Sequence, residues 1–248
     1  MEIALGTIGV LTGFLSGFFG IGGGTFLVPS LLLLGFGIKD AIAISVLQMV
    51  FSSIVGSYFN LRNSSIPLKN ALYLGVGGFI GALFSGYVLS VVPEDILQYL
   101  FIAVVMFAIG KFFTAKTEVK PKRERPSYIK YILVLVGFFV GIFSISLGVG
   151  GAILIGPIMA GFLGYSVKES VVYSLFFVIF SSIAGFISMM VFGHLNIHHG
   201  LLVGVFSLVG VYVGTVALKK VDAKKHKNYI LILYLVILAV MIEKSFFS

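Results

Sequence analysis

Two glycine-rich stretches, GIGGGT at residues 20–25 and GVGGAI at residues 148–153, mark where this 248-residue chain could do chemistry. Glycine weakens a helix interior by roughly 1 kcal/mol relative to alanine, so such clusters inside apolar segments read as helix breaks. A half-helix that starts just after the break presents unpaired N–H groups and the positive end of its dipole. With no Cβ in the way, backbone can close on a ligand, and that ligand is a small anion. A cation would need carbonyls or carboxylates there.

The backbone candidates are Gly20, Gly22, Gly23, Gly24 and Thr25 in the first stretch, and Gly148, Gly150, Gly151 and Ala152 in the second. Ser16 and Ser144 precede the two breaks by about one turn. Ser52, Ser53, Ser181 and Ser182 lie on the first full crossing after each break, where they could meet the anion or serve as hydrogen-bonding glue between helices. Gln48 lies on an otherwise apolar crossing, and its equivalent in the second half is Phe177, so it is a candidate for asymmetric substrate contact. The glycines would also suit tight hairpin turns with no ligand. A P-loop is excluded because no Lys-Ser pair follows, and the G-x-G-x-x-G register of dinucleotide folds is absent.

The elements that hold these residues must lie in a bilayer. The chain is 59% hydrophobic and 10% charged, with a mean hydropathy of +1.14, whereas soluble domains carry about a quarter charged residues. With no cysteine, disulfides and thiolate chemistry are excluded. Glu2 and the lack of a basic leader point to a retained membrane segment rather than a signal peptide. His194, His198 and His199 fall in a loop without supporting ligands, so neither a metal nor a cofactor is expected. Lipids and a small oxyanion are the expected partners, and nucleic acid is not. The oligomeric state is left open.

Apolar segments run over Ile3–Gly35, Ala41–Asn60, Asn70–Val91 and Ile96–Phe113, then again over Tyr131–Gly164, Ser170–Phe192, Gly200–Leu218 and Tyr229–Ile242. The two sets match. Gly13, Ser16, Gly20, Gly22, Gly23 and Pro29 recur as Gly141, Ser144, Gly148, Gly150, Gly151 and Pro157 at an offset of 128. One inserted residue then moves the offset to 129, where Gly35 meets Gly164 and FSSIVG (51–56) meets FSSIAG (180–185). The chain therefore divides into repeats 1–113 and 131–248 joined by a basic linker, 114–130.

Lysine and arginine favour cytoplasmic loops. Placing the linker and the run at 219–227 inside leaves only Lys39 and Lys244 of the 17 basic residues outside, and both termini external. The second overlong segment must then leave and re-enter the same side. Its first arm, Tyr131–Leu147, has 17 residues and its second, Ala152–Gly164, has 13, too few to span. The fold class expected is an all-α integral membrane protein of two inverted repeats. Each is a re-entrant or broken helix hairpin followed by three transmembrane helices, as recurs in transporters.

The doubled Gly-x-Gly-Gly-(Gly/Ala) loop followed by proline, the basic central loop and the length resemble the sulfite exporter TauE/SafE family over nearly the whole chain. The resemblance implies export of sulfite or organosulfonates across an inner membrane, without enzymatic activity. The second loop departs from the first at Ala152 for Gly24 and at Gly156 for Val28, so the two halves are not equivalent. No acidic or basic residue falls well inside a crossing, which points to uniport driven by membrane potential rather than to proton coupling. An importer or exchanger of the same anions, or a membrane protein without transport activity, are the alternatives.

Overall fold

The computed structural model describes residues 1–20, 22–61, 68–114, 128–165, 167–194, 196–218, 220–221 and 223–246, and every regular element among them is helical. In chain order they are α1 (Glu2–Phe19), α2 (Gly24–Leu33), α3 (Ile38–Leu61), α4 (Lys69–Ala82), α5 (Ser85–Val91) and α6 (Glu94–Thr114), then α7 (Ile129–Ser146), α8 (Ala152–Pro157), α9 (Val167–Val191), α10 (Ile197–Leu218) and α11 (Ala223–Phe246). Among the described residues seven spans are long and apolar enough to cross a bilayer: α1, α3, α4 with α5, α7, α9, α10 and α11. The 21-residue α6 carries Glu94, Asp95 and Lys111 at its ends. The linker positions 115–127, with five of its basic residues, and Arg62 lie outside the described residues.

Small residues set the packing. A Cβ on Gly9, Gly13 or Gly17 of α1 would run into the backbone of Val203, Ser207 or Val211 of α10, so the two helices run parallel with their backbones nearly touching. Gly77 and Gly81 of α4 meet Val134 and Phe138 of α7 in the same way, again in parallel. α1 and α7 thus each pack on a helix of the other half of the chain. At the centre, α3 and α9 cross antiparallel. A Cβ on Gly56 would sit 3.7 Å from Leu175, and one on Gly185 would sit 3.4 Å from Val46. These contacts exchange under the 129-residue offset, because Gly56 matches Gly185 and Val46 matches Leu175.

The offset changes between Pro157 and Gly164, where the helix is not regular. After Pro157 the chain passes through a π turn, Ile158–Phe162, closed by Leu163 N–H donating to the Ile158 carbonyl at 3.2 Å. A π turn accommodates one extra residue within a helix. Both hairpins then end alike, on a left-handed Gly35 (φ 88°) or Gly164 (φ 65°). The capping bond is Phe36 N–H to Leu31 O at 3.1 Å in one and Tyr165 N–H to Met159 O at 2.9 Å in the other.

One expected crossing, Asn70–Val91, is broken between α4 and α5. The freed backbone groups are satisfied from α9: Ser188 Oγ donates to the Leu83 carbonyl at 2.6 Å and accepts from Gly86 N–H at 2.9 Å. Its counterpart α10 is continuous.

The ends of the helices gather into two faces. On one, His198 Nε2 lies 3.4 Å from Glu2 Oε1, His199 stacks edge-on against Phe36 with ring centroids 5.3 Å apart, and Ser245 Oγ donates to Gln98 Oε1 at 2.9 Å. His194 shares a 2.9 Å hydrogen bond with Ser90 there. Burial, and then the charge of Lys39, hold its imidazole below the ordinary range against the opposing pull of Asp40. On the other face, Asn70 Nδ2 donates to Tyr165 Oη at 3.2 Å and Lys111 Nζ sits 4.1 Å from the centre of the Phe162 ring. No group of three or more His, Cys, Asp or Glu side chains converges among the described residues.

Candidate functional site

The two glycine loops meet at the α3–α9 crossing. In each, three glycines adopt left-handed backbone: Gly20, Gly22 and Gly23 at φ 70°, 80° and 78°, and Gly148, Gly150 and Gly151 at φ 66°, 77° and 69°. L-residues with a side chain avoid this region, which explains why the motif is glycine at these positions. Gly24 and Ala152 are instead the first helical residues of α2 and α8. Helical backbone accepts alanine, so the departure at position 152 is conformationally free. At Gly24 the constraint is steric, since a Cβ would run into the Gly148 carbonyl.

The loops are joined by hydroxyls. Thr25 Oγ1 donates to the Val149 carbonyl at 3.1 Å, and Ser45 Oγ donates to the Gly148 carbonyl at 2.7 Å. Ser52 Oγ reaches the Gly22 carbonyl at 3.4 Å. A Cβ on Gly22 would sit 3.7 Å from the Gly150 carbonyl. The half-helices diverge from this point. Phe26 and Leu27 N–H close back onto the Gly23 carbonyl, and Leu154 and Ile155 N–H close onto that of Gly151. In each, the first two residues keep their N–H groups as the open donors of the helix end. Two helix N-terminal ends therefore start beside one loop junction, with no acidic side chain among the buried described residues to balance them.

The predicted side chains divide into two groups. Ser53, Ser181 and Ser182 donate to carbonyls of their own helices, Val50, Phe177 and Ile179. Ser144 does the same, to Val140. Ser16 and Gln48 differ: both are buried, and neither the Ser16 hydroxyl nor either end of the Gln48 carboxamide has a hydrogen-bond partner. Gln48 lies against the first loop, where a Cβ on Gly23 would sit 3.0 Å from its Oε1. Two participants escaped the sequence reading. Ser45 lies three residues before Gln48 on the same face of α3, and Thr12 lies four before Ser16 on α1, a spacing that could have flagged both.

Comparison with known proteins points to membrane transporters. The chain is 28% identical to the Bacillus subtilis protein named probable membrane transporter protein YdhB, over 82% of this chain and 85% of that one. It is 30% identical to a probable membrane transporter protein of Methanocaldococcus jannaschii, over 73% of this chain and 69% of the relative. Likeness to the B. subtilis protein YunE, at 23% identity, covers 99% of both chains. No solved structure matches significantly. The sequence model described as Sulfite exporter TauE/SafE matches residues 5–242. This multi-pass helical membrane protein belongs to the sulfite exporter TauE/SafE family, whose members are transporters rather than enzymes.

Proposed function

We propose that the chain exports a small sulfur-containing oxyanion, sulfite or an organosulfonate, across the inner membrane, through a site formed where its two glycine loops meet. The observation that carries this reading is the pair of helix N-termini, α2 and α8, that start at the junction of the two glycine loops with no acidic side chain among the buried described residues. Like partial charges brought together in a low-dielectric medium favour an anion between them. The hydroxyls at the junction supply further donors, so recognition uses neutral groups that release the anion as readily as they take it.

The two repeats, 1–113 and 131–248, are inverted, and their hairpins are re-entrant. Three facts support this: α3 and α9 are sequence equivalents yet run antiparallel, Phe36 returns to the face of Glu2 and His199, and Phe162 returns to the face of Lys111. The face of Glu2, His198 and Ser245 is external, and linker 114–130 is cytoplasmic. Since the chain has no cysteine, this is directly testable. A cysteine at His198 should label only from outside and one at Ser127 only from the cytoplasm. Labelling of both from one side would overturn the topology.

The function itself is tested by flux out of proteoliposomes loaded in turn with sulfite, sulfoacetate, thiosulfate, sulfate and chloride. Saturable movement of a sulfur oxyanion, absent for sodium or potassium, is the expected result. Protein-dependent movement of cations alone would remove the anion reading.

A further inference from the structure

Six buried side-chain polar atoms among the described residues have no hydrogen-bond partner: three belong to Thr12 (Oγ1) and Gln48 (Oε1 and Nε2), which lie together beside Gly23, and a fourth is Ser16 Oγ, one turn along α1 from Thr12. All three residues are at most 1% exposed. A Cβ on Gly23 would lie 2.9 Å from Thr12 Cγ2, 3.0 Å from Gln48 Oε1 and 3.1 Å from Gln48 Nε2. Gly23 is the N-cap of the ten-residue α2. Ser16 follows Thr12 by one turn on the same face of α1. Polar groups retained in a membrane core as glue between helices bond across those helices. These do not, and an unpaired buried group opposes folding.

The equivalent place in the second half is built differently. Thr12 is matched by Val140, Ser16 by Ser144 and Gln48 by Phe177. The Ser144 hydroxyl is spent on the Val140 carbonyl. The Phe177 ring stands against the α8 N-cap, where a Cβ on Gly151 would run into it and would lie 3.1 Å from Ser144 Oγ. None of these three residues keeps an unpartnered polar atom. At the two helix N-caps the unpartnered polar atoms are kept on one side; the remaining two such atoms, Ser57 Oγ and Ser174 Oγ, lie on α3 and α9.

Resting on the transport reading above, we infer that binding is one-sided. The oxyanion is held in the first repeat, by the opening turn of α2 with the hydroxyls of Thr12 and Ser16 and the carboxamide of Gln48. Phe177 fills the pseudo-equivalent position, so the second loop is the packing counterpart of the site. Three separate side-chain donors suit a headgroup with several acceptor oxygens, the sulfonate or sulfite class, over a spherical halide.

The test compares the near-isosteric variants Gln48→Met and Thr12→Val with Ser144→Ala. Readouts are melting temperature with and without sulfoacetate or sulfite, and proteoliposome flux of the same anions. Gln48→Met is expected to melt at or above the wild-type temperature, since unpartnered polar atoms are removed. It should lose the anion-induced shift and at least tenfold of the flux, with Thr12→Val close behind and Ser144→Ala losing much less. A lowered melting temperature in Gln48→Met, with the anion-induced shift intact, would mark Gln48 as structural and overturn the inference. Equal flux losses in Ser144→Ala and Gln48→Met would overturn one-sidedness alone. A wild-type protein that moves none of the panel anions and shows no shift with any of them would remove the transport reading, and this inference with it.

Discussion

Gly23→Val is expected to reduce anion flux a hundredfold or more in a protein that still folds. The backbone of Gly23 has φ 78°, where a β-branched residue is most disfavoured. Holding an L-residue in left-handed backbone costs about 1–2 kcal/mol. The new methyls would also displace Thr12 and the Gln48 carboxamide, whose atoms lie within 3.1 Å of the new Cβ. A hundredfold loss is about 2.7 kcal/mol of barrier, which strain and displacement together can supply. The neighbours that must move are side-chain ends, so the helices themselves can stay in place. Gly35→Val is the matched control. Its φ of 88° imposes the same strain, but a Cβ there meets nothing within 4 Å, and it lies at the far end of α2. Flux measured beside melting temperature separates the two. Normal transport by a folded Gly23→Val protein would remove the loop from the site.

Flux of an organosulfonate should follow membrane potential and respond only weakly to a pH gradient at fixed potential. Proton-coupled carriers hold a titratable group in the membrane, and among the described residues every Asp and Glu lies at or near a helix end. One elementary charge moving through 100 mV is worth about 2.3 kcal/mol, so an inside-negative potential of that size biases a monovalent anion outward about fiftyfold. Organosulfonates are the right probe because they stay ionised across the working range, whereas sulfite changes protonation near neutrality. Potential and pH gradient are set independently with ionophores. Electrically silent flux that tracks only the pH gradient would replace uniport with proton coupling.

Much of this arrangement is legible in the sequence because repeats and glycines carry geometric information. The doubled glycine pattern marks six positions, Gly20, Gly22, Gly23, Gly148, Gly150 and Gly151, and all six are left-handed. The offset changes from 128 to 129 between Pro157 and Gly164, the stretch that contains the π turn Ile158–Phe162. FSSIVG and FSSIAG lie on α3 and α9, the helices that cross at the centre. Long-range hydrogen bonding is what the sequence hides. The break between α4 and α5 carries no proline and is stabilised by Ser188, about a hundred residues away. Thr12 is one hydroxyl on an apolar helix, and its setting exists only once Gly23 and Gln48 arrive beside it. Ser53, Ser181 and Ser182 show the converse: a serine inside a helix can bond to a carbonyl one turn back, and sequence does not say which ones do.

The close seam between α1 and α10 also sets a timetable for synthesis. Gly9 and its partner Val203 are 194 residues apart, and translation proceeds at roughly 5–20 residues per second, so α1 waits on the order of 10–40 s for the helix it is shaped to fit. During that wait its glycine face borders lipid or a protein of the insertion machinery, and the broken backbone after Phe19 lacks the Val149 and Gly148 carbonyls that later join the loops. The nascent first half is thus an unfinished object, which gives membrane chaperones and quality-control proteases a window to act before the ribosome reaches residue 218.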